Sequence, residues 1–308
     1  MLLVLLGYIL VQHVDLHQVA ERLRQADTLW IAVALLSVTG TIWIRGVRWQ
    51  VLLGPDRSAI AVVDLARIVA VGQLINNFIP GRLGEAYRAY AAGNSGVESK
   101  LYALGTLVAE KLLDLLILFI MLGITLVWIP LPDWVLKGAT VAVWGLGLLA
   151  VVTFVAILLR NRIRGGLDRI GLPDSLGRWL EALTEGIATL RPPGVLFMGV
   201  FWSLLLWAMY VLNNWAVLRA LNILQGEQAL AGAVLVLIIV QVGMIPPSTP
   251  AGLGVFEYLC ILALGLVGVS PEAALSYGLV LHAVVLLPPL AWGAVYLVRT
   301  GWRIRNAQ

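Results

Sequence analysis

The chain has 308 residues, of which 60% are hydrophobic and only 12% are charged, and its mean hydropathy is +0.93. Soluble domains carry about twice that share of charged residues, so the composition excludes an ordinary soluble protein and predicts an all-α polytopic membrane protein. The net charge is +4, and Cys260 is the only cysteine, which excludes an intramolecular disulfide and any cysteine-based metal cluster.

The first part of the chain contains three predicted spans and one amphipathic helix. Residues 2–14 lack a basic n-region and a cleavage site, so they predict a retained span rather than a signal peptide. Residues 15–26 place their apolar side chains on one helical face, which is typical of a helix lying on the membrane surface. Two further spans are predicted at 28–53 and 97–128, on either side of an apolar stretch that is broken near its middle.

The same order of elements recurs after a turn near residue 131. The predicted elements of this second part are a span at 138–159, an amphipathic helix at 174–190, a span at 194–218, a broken pair at 229–245 and 250–267, and a last span at 272–298. We therefore expect one transmembrane domain, 1–308, built from two repeats that divide near residue 130.

Two polar stretches with Pro and Gly interrupt the apolar sequence at matching places in the repeats. Residues 76–88 read NNFIPGRLGEAYR, and residues 244–257 read MIPPSTPAGLGVFE. Pro and Gly break helices, and broken backbone at membrane depth is tolerated only where protein or a wet cavity covers it. A matched pair of such breaks indicates a transporter binding site. Ordinary loops at the membrane surface are the alternative.

The Lys and Arg residues indicate that each broken pair enters and leaves the membrane on one side. In that arrangement most basic residues, Arg45 and Arg48 among them, lie on one face, which is then cytoplasmic. If each pair crossed once, the basic residues would divide almost evenly. Each repeat thus has three full spans, a surface helix and a re-entrant hairpin, and the repeats are inverted. Both termini are expected to be cytoplasmic, although the arms at 60–78 and 229–245 are long for half-membrane helices.

Several ionisable residues fall within the predicted spans, where they must pair or line a wet cavity. The residues assigned to an intramembrane charge network are Asp64, Arg67, Glu110, Lys111 and Asp114. Helical spacing pairs Asp64 with Arg67, and Glu85 with Arg88, whereas Glu110 and Asp114 share one helical face. Three roles stay open for these groups: neutralisation that locks the repeats together, counter-charge to a ligand, and proton transfer.

The two hairpin tips are the candidate substrate site. The helices that follow the breaks offer free N–H groups and a positive dipole end, which suit a phosphate or a carboxylate. Arg82 is expected to hold the phosphate, and Glu257 to balance Arg82 from the opposite repeat. The predicted substrate-binding residues are Asn76, Asn77, Pro80, Gly81, Arg82, Gly84, Glu85, Arg88, Pro250, Gly252, Gly254 and Glu257.

Other chemistries lack their sequence signals. There is no phosphate-binding loop for ATP hydrolysis and no zinc spacing of His and Cys, so we expect no catalytic residue, cofactor, metal or nucleic-acid partner. The pair of Glu110 and Asp114 could hold a divalent ion, but nothing else on that span completes such a site. Each of the three histidines, including His282, is expected at a helix end or as a satisfied interior residue.

Four motifs carry a resemblance to a known family. They are RGVRWQVLL at 45–53, NNFIPGRLGEAYRAY at 76–90, VAEKLLD at 108–114 and PSTPAGLGVFE at 247–257. At these residues the chain resembles the transmembrane region of lysylphosphatidylglycerol synthases, also called the flippase-like family. The resemblance implies a lipid-translocating domain with Arg82, Glu85 and Glu257 at the core of the pathway. The synthase domain of fused members is absent here, so no aminoacylation is expected. Lys111 stands where the family often has Arg.

We therefore expect a flippase or lipid transporter of the cell inner membrane that is neither an enzyme nor ATP-driven by itself. Its expected substrate is a phosphate-bearing lipid: a phospholipid, or an aminoacylated, hopanoid-type or isoprenoid-linked lipid. Besides that lipid, the expected partners are further copies of the chain or a lipid-synthesising enzyme. Two alternatives stay open, namely a membrane-embedded enzyme acting on a lipid phosphate and an accessory subunit of a lipid-modifying enzyme.

Overall fold

A computed structural model of the chain describes residues 15–54, 60–79, 83–97, 99–129, parts of 132–148, 184–245 and 249–306. The described residues form helices and contain no β-strand. Five helices among the described residues are long and apolar enough to cross a membrane: Thr28–Leu52, Lys100–Trp128, Pro193–Ala220, Gly226–Gly243 and Pro271–Val298. The chain is therefore an all-α polytopic membrane protein, as its composition predicts.

Nine α-helices and one 3₁₀-helix in the described part of the chain carry the argument below. In the first repeat they are α1 (Leu16–Arg24), α2 (Thr28–Leu52), α3 (Val62–Phe78), α4 (Leu83–Gly93) and α5 (Lys100–Trp128). In the second repeat they are α6 (Pro193–Ala220), α7 (Gly226–Gly243), the 3₁₀-helix (Pro250–Gly252), α8 (Val255–Gly265) and α9 (Pro271–Asn306).

Some predicted elements fall wholly or largely outside the described residues. These are the span at 2–14, most of the span at 138–159, and most of the amphipathic helix at 174–190. Of that helix, residues 184–188 are described, and they are helical. A Cβ atom at Gly186 would overlap the carbonyl oxygen of Tyr102, so this segment packs directly against the backbone of α5.

Side-chain caps fix where three of the helices begin. Asp15 accepts hydrogen bonds from the N–H groups of His17 and Gln18 at the start of α1, and these bonds lower the pKa of its carboxyl group. Asp27 caps α2, and Ser99 caps α5 in the same way. Free N–H groups at helix starts need such acceptors, which explains why a polar residue stands just before each of these helices.

The apolar face of the amphipathic α1 is only partly buried in the protein. Val19 is its buried residue and packs with Leu275 of α9, while Leu16 and Leu23 on the same side are exposed. Exposed leucines beside a buried valine are consistent with a helix whose apolar side meets both protein and lipid.

Each predicted break separates a long arm from a short arm. In the first hairpin α3 has 17 residues and α4 has 11; in the second, α7 has 18 and α8 has 11. The arms of the first hairpin meet without intervening side chains, since a Cβ atom at Gly84 would overlap the carbonyl oxygen of Gly72. Three residues of the break, Pro80, Gly81 and Arg82, lie outside the described residues.

Among the described residues, several helix contacts of one repeat have a counterpart in the other, although their extents differ. The most extensive contact between two described helices joins α2 to its counterpart α6. The last helix of the second repeat, α9, contacts α2 and α3, while its counterpart α5 contacts α6 and α7. The 3₁₀-helix also touches α3, which brings the second hairpin against the first. This symmetry supports an internal duplication, whereas the inversion and the re-entrant course remain predictions.

The contact between the arms of the first hairpin can be tested at Gly84. We expect Gly84→Ala to lower the free energy of unfolding by about 1–3 kcal/mol, because the added methyl group must push α3 and α4 apart. The measurement is the loss of folded protein in detergent against temperature or added SDS.

Gly123 on α5 is the matched control, since a Cβ atom there would meet no heavy atom within 4 Å. Gly123→Ala should leave stability unchanged or raise it slightly through better helix propensity. Equal stability of the two variants would contradict the close packing at Gly84.

Candidate functional site

Glu110 of α5 is a fully buried carboxylate surrounded by arginines. Its side chain has 0% exposure. Arg88 of α4 donates to both carboxylate oxygens, at 2.8 and 3.2 Å, and a guanidinium nitrogen of Arg48 lies 3.1 Å from Oε1. Arg45 lies slightly further away, at 3.8 Å. One anion thus connects α2, α4 and α5 inside the membrane domain.

Asp114, one turn further along α5, shares Arg48 with Glu110. The two guanidinium nitrogens of Arg48 lie 2.6 and 3.2 Å from the two oxygens of Asp114, which is a bidentate pair. From α6, the indole N–H of Trp207 also donates to Asp114, and Ser203 accepts from Arg48 at 2.9 Å. These contacts extend the charge cluster from the first repeat to the second.

Arg45 and Arg48, which the sequence analysis expects on the cytoplasmic face, are directed into the helical bundle. Arg48 is fully buried, and Arg45 donates to the hydroxyl of Tyr210 on α6 at 2.6 and 3.0 Å. They turn inward because Lys111 of α5 pairs with Glu85, which leaves Arg88 of α4 as the one cation from these two helices beside Glu110 and Asp114. The sequence signal for them is the RGVRW segment, which belongs to one of the family-like motifs. The remaining basic residues still favour the same orientation in the membrane.

The local pairing of Glu85 with Arg88, suggested by helical spacing, is not what forms. Arg88 turns to Glu110 and stacks over the ring of Trp49, 4.4 Å from its centre. Glu85 instead lies 3.6 Å from the ammonium group of Lys111. A buried carboxylate attracts the arginine more strongly than a partly exposed one, because water screens charges at an exposed site.

The pair of Glu85 and Lys111 forms the exposed side of the cluster. The Lys111 side chain is 40% exposed and that of Glu85 is 23% exposed. The Asn76 amide accepts from the N–H of Gly84 at 2.7 Å and donates to Glu85 at 2.9 Å. Asn76 therefore fixes the start of α4 and the Glu85 carboxylate together, whereas its neighbour Asn77 is simply half-buried at the end of α3.

Glu257 holds the corresponding position in the second hairpin. Its Oε2 accepts from the N–H of Gly254 at 2.7 Å, and its Oε1 lies 2.6 Å from Nδ1 of His282. The other ring nitrogen of His282 lies 2.9 Å from the carbonyl oxygen of Ala251. His282 is thus a satisfied interior residue, as expected. The predicted partner of Glu257, Arg82, lies outside the described residues, and both oxygens of Glu257 are engaged within its own repeat.

The two hairpins repeat one arrangement, in which the acid has a different partner in each. Glu85 is the third residue of α4 and Glu257 the third residue of α8. Their partners, Lys111 and His282, are each the twelfth residue of the following helix, α5 and α9. An acid near the start of each short arm therefore meets a basic residue at the same level of the next long helix.

Backbone geometry accounts for the remaining predicted residues of the second tip. Gly252 and Gly254 have positive φ angles of 76° and 81°, and Ala251 lies in the same region at 54°. Gly252 is buried, whereas Pro250 is exposed at the start of the 3₁₀-helix. These residues shape the turn that presents the Ala251 carbonyl and the Gly254 N–H to His282 and Glu257.

Asp64 and Arg67 do not join the buried network to which their position in the sequence assigns them. They pair with each other at 2.7 Å, and both side chains are about half exposed. They line a cleft of about 310 Å³ between α2, α3 and α9, whose other walls are mainly apolar. Trp43, Trp292 and Tyr296 lie in this cleft, and Arg67 lies over the ring of Tyr296.

A metal centre finds no support in the described part of the chain, where no three His, Cys, Asp or Glu side chains lie close enough to hold an ion. Glu110 and Asp114, the pair considered for a divalent ion, have their oxygens directed at arginines. Arginine in that place makes the cluster an ion-pair network rather than a cation site.

Comparison with known proteins agrees with this architecture. The profile of the family described as "Lysylphosphatidylglycerol synthase TM region" matches residues 1–293. Two proteins of Methanothermobacter thermautotrophicus, each named UPF0104 membrane protein, are 25% identical to the chain. One match covers 83% of this chain and 81% of the relative, and the other covers 88% and 83%. No solved structure matches.

The cluster around Glu110 should be required for folding. We expect Glu110→Gln to lower the free energy of unfolding by about 3–5 kcal/mol, because it leaves buried guanidinium groups without a counter-charge. Unfolding in mixed detergent and SDS micelles measures the loss.

Asp64→Asn is the control, because it removes the acid of an exposed pair, for which the expected loss is at most about 1 kcal/mol. If the two variants lost equal stability, burial would not be what makes the Glu110 cluster important.

Proposed function

Because the chain belongs to the lysylphosphatidylglycerol synthase TM region family, we propose that it is a lipid transporter that moves a phosphate-bearing lipid between membrane leaflets. The observation that carries this proposal is the charge cluster inside the helical bundle. Its described members are four cations (Arg45, Arg48, Arg88 and Lys111) and three carboxylates (Glu85, Glu110 and Asp114), an excess of one positive charge.

An unbalanced positive charge at membrane depth is expensive unless an anion completes it. The excess lies among the arginines, since Arg45, Arg48 and Arg88 face two carboxylates, whereas Lys111 and Glu85 balance each other by charge. Lys111 is the most loosely held of the four cations, because it faces Glu85 at a distance too long for a hydrogen bond and is partly exposed. A lipid phosphate that approached Lys111 would bring the missing negative charge.

The start of α4 adds a second attraction at the same place. Helix N-termini favour phosphate through their free N–H groups and positive dipole end. Asn76 and Glu85 occupy that end of α4, and Lys111 lies beside it. Lysine is a compact charge on a flexible stem, so Lys111 can move from Glu85 to an incoming phosphate without disturbing the arginines.

The cleft between α2, α3 and α9 suits the apolar part of a lipid. It has mainly apolar walls, two tryptophans, and the Asp64–Arg67 pair. The pair lies near the start of α3, about 18 Å along the helix from Asn76. We therefore propose that an acyl chain lies along α3 while the headgroup meets Lys111 at the hairpin.

We further propose the cell inner membrane as the location, with both termini cytoplasmic, and a second copy of the chain or a lipid-synthesising enzyme as a partner. The family name also leaves room for an enzyme that acts on a lipid phosphate or for an accessory subunit. In proteoliposomes a transporter moves lipid unchanged, an enzyme alters its mass, and a subunit does neither alone.

The transport site can be tested at Lys111. We expect Lys111→Gln to slow the movement of a fluorescent anionic phospholipid by about tenfold, the loss of roughly one charged contact. The assay follows quenching of labelled lipid in proteoliposomes by a reagent that does not cross the membrane, and mass spectrometry checks that the lipid is unchanged.

Lys100→Gln is the matched control, a lysine on the same helix that is exposed at its first residue. That variant should transport at the wild-type rate. Wild-type transport by Lys111→Gln, or chemical change of the lipid by the native protein, would contradict the proposal.

A further inference from the structure

We infer that Glu257 and His282 form a proton-binding site that controls the shape of the second hairpin tip. This inference deepens the proposed function by adding a proton to the transport cycle, and it rests on that function only for the link to lipid movement. The site is buried, since the exposed fractions of the two side chains are 7% and 6%.

The hydrogen bonds determine how many protons the pair holds. A backbone carbonyl can only accept, so the Nε2 atom of His282 must carry the hydrogen that it donates to Ala251. The 2.6 Å contact between Nδ1 and the Glu257 carboxylate needs a second hydrogen, on the ring or on the acid. The pair therefore shares one proton, and it is neutral overall whichever partner carries that proton.

Loss of that proton would leave two acceptors facing each other. The lone pair of Nδ1 and a carboxylate oxygen repel each other at 2.6 Å, and an unpaired carboxylate would remain in a nearly dry site. His282 or Glu257 must then move away. Phe256, whose ring stacks on the imidazole at 4.4 Å, would lose that contact as the ring moves.

Both partners of the pair also hold the backbone of the tip. Glu257 accepts from the N–H of Gly254, and His282 donates to the carbonyl of Ala251. Ala251 has a φ of 54°, a conformation that an L-residue adopts only at a cost, so the turn needs these contacts to persist. Release of the shared proton therefore frees a strained turn that lies against α3 of the first hairpin.

Few other charges act on the pair from the elements packed against it. In the described part of the chain the titratable groups near the pair are Cys260, one turn along α8, and Tyr277 of α9, whose hydroxyl is bonded to Asn214. Tyr258 follows Glu257 in the chain, and its side chain is exposed. After Arg67, α3 carries only uncharged residues to its end, and α7 carries none after Glu227. The proton on the Glu257–His282 pair is therefore the charge that can change at this place.

The first hairpin provides an internal contrast. There the Gly84 N–H is held by an amide, Asn76, and the 3.6 Å separation of Glu85 from Lys111 involves no shared hydrogen. Among the described residues of the two hairpins, a shared hydrogen of this kind occurs in the second alone, between His282 and Glu257.

The first test is the protonation state of His282 in the full-length protein labelled with ¹⁵N-histidine. The chain has three histidines, so the His282 signals are assigned as those absent in His282→Gln. We expect a protonated Nε2 at neutral pH, together with either a protonated Nδ1 or a protonated Glu257 carboxyl seen in the infrared spectrum. A neutral ring beside an ionised Glu257 in this state would overturn the inference.

The second test uses Cys260, a native buried probe one turn from Glu257. With one linked proton, the open fraction of the tip rises about tenfold per pH unit above the transition. Labelling of Cys260 by a small thiol reagent should therefore rise more steeply with pH in the wild type than in Glu257→Gln, whose amide donates to Nδ1 at every pH.

Glu85→Gln in the first hairpin is the matched control, and its Cys260 labelling should follow the wild-type curve. Identical labelling curves for wild type and Glu257→Gln would overturn the inference. These experiments need no lipid, so a protein that shows the pH transition but moves no lipid would refute the proposed function alone. A protein that moves lipid without the transition would refute the proton site alone.

Discussion

The burial of one carboxylate, Glu110, is the constraint on which much of this architecture depends. A fully buried anion must be matched by cations, and here arginines come from α2 and α4 to meet it. Because Arg48 also binds Asp114, which Trp207 of the second repeat contacts, the requirement spreads across the bundle. Such a network is a weak source of stability in itself, since desolvation offsets much of its attraction. Its value lies in fixing which helices meet and at what level.

The sequence predicts most helix positions because apolar run length and the Pro and Gly breaks determine them directly. The prediction of 28–53 agrees with α2, 97–128 with α5 and 194–218 with α6 to within a few residues. Pairing of charges between helices is different, because it depends on tertiary contacts that no local spacing encodes. The spacing of Glu85 and Arg88 indicates a pair, but Arg88 pairs with the buried Glu110 instead.

Two basic residues of the clusters, Arg48 and His282, are not among the site residues predicted from the sequence, for a similar reason. Arginine near a span end usually snorkels to the surface, so hydropathy alone places Arg48 there. A lone histidine on an apolar helix gives no sign of a partner until the fold brings Glu257 to it. In both cases the missing information is which acid lies opposite, and only the packing of α2 against α5 and of α8 against α9 supplies it.

The unequal arms of the hairpins have a consequence for the bilayer itself. The long arm α3 exceeds the short arm α4 by six residues, which is a rise of about 9 Å. If the first hairpin enters and leaves the membrane on one face, as predicted from the sequence, and both arms stand at a similar tilt, its return loop begins about 9 Å deeper than the point of entry. In the first repeat that loop is the polar segment between Gly93 and Lys100. Lipids beside it would meet a polar surface below their normal headgroup level, so the membrane there would be locally thinner and the path of a headgroup shorter.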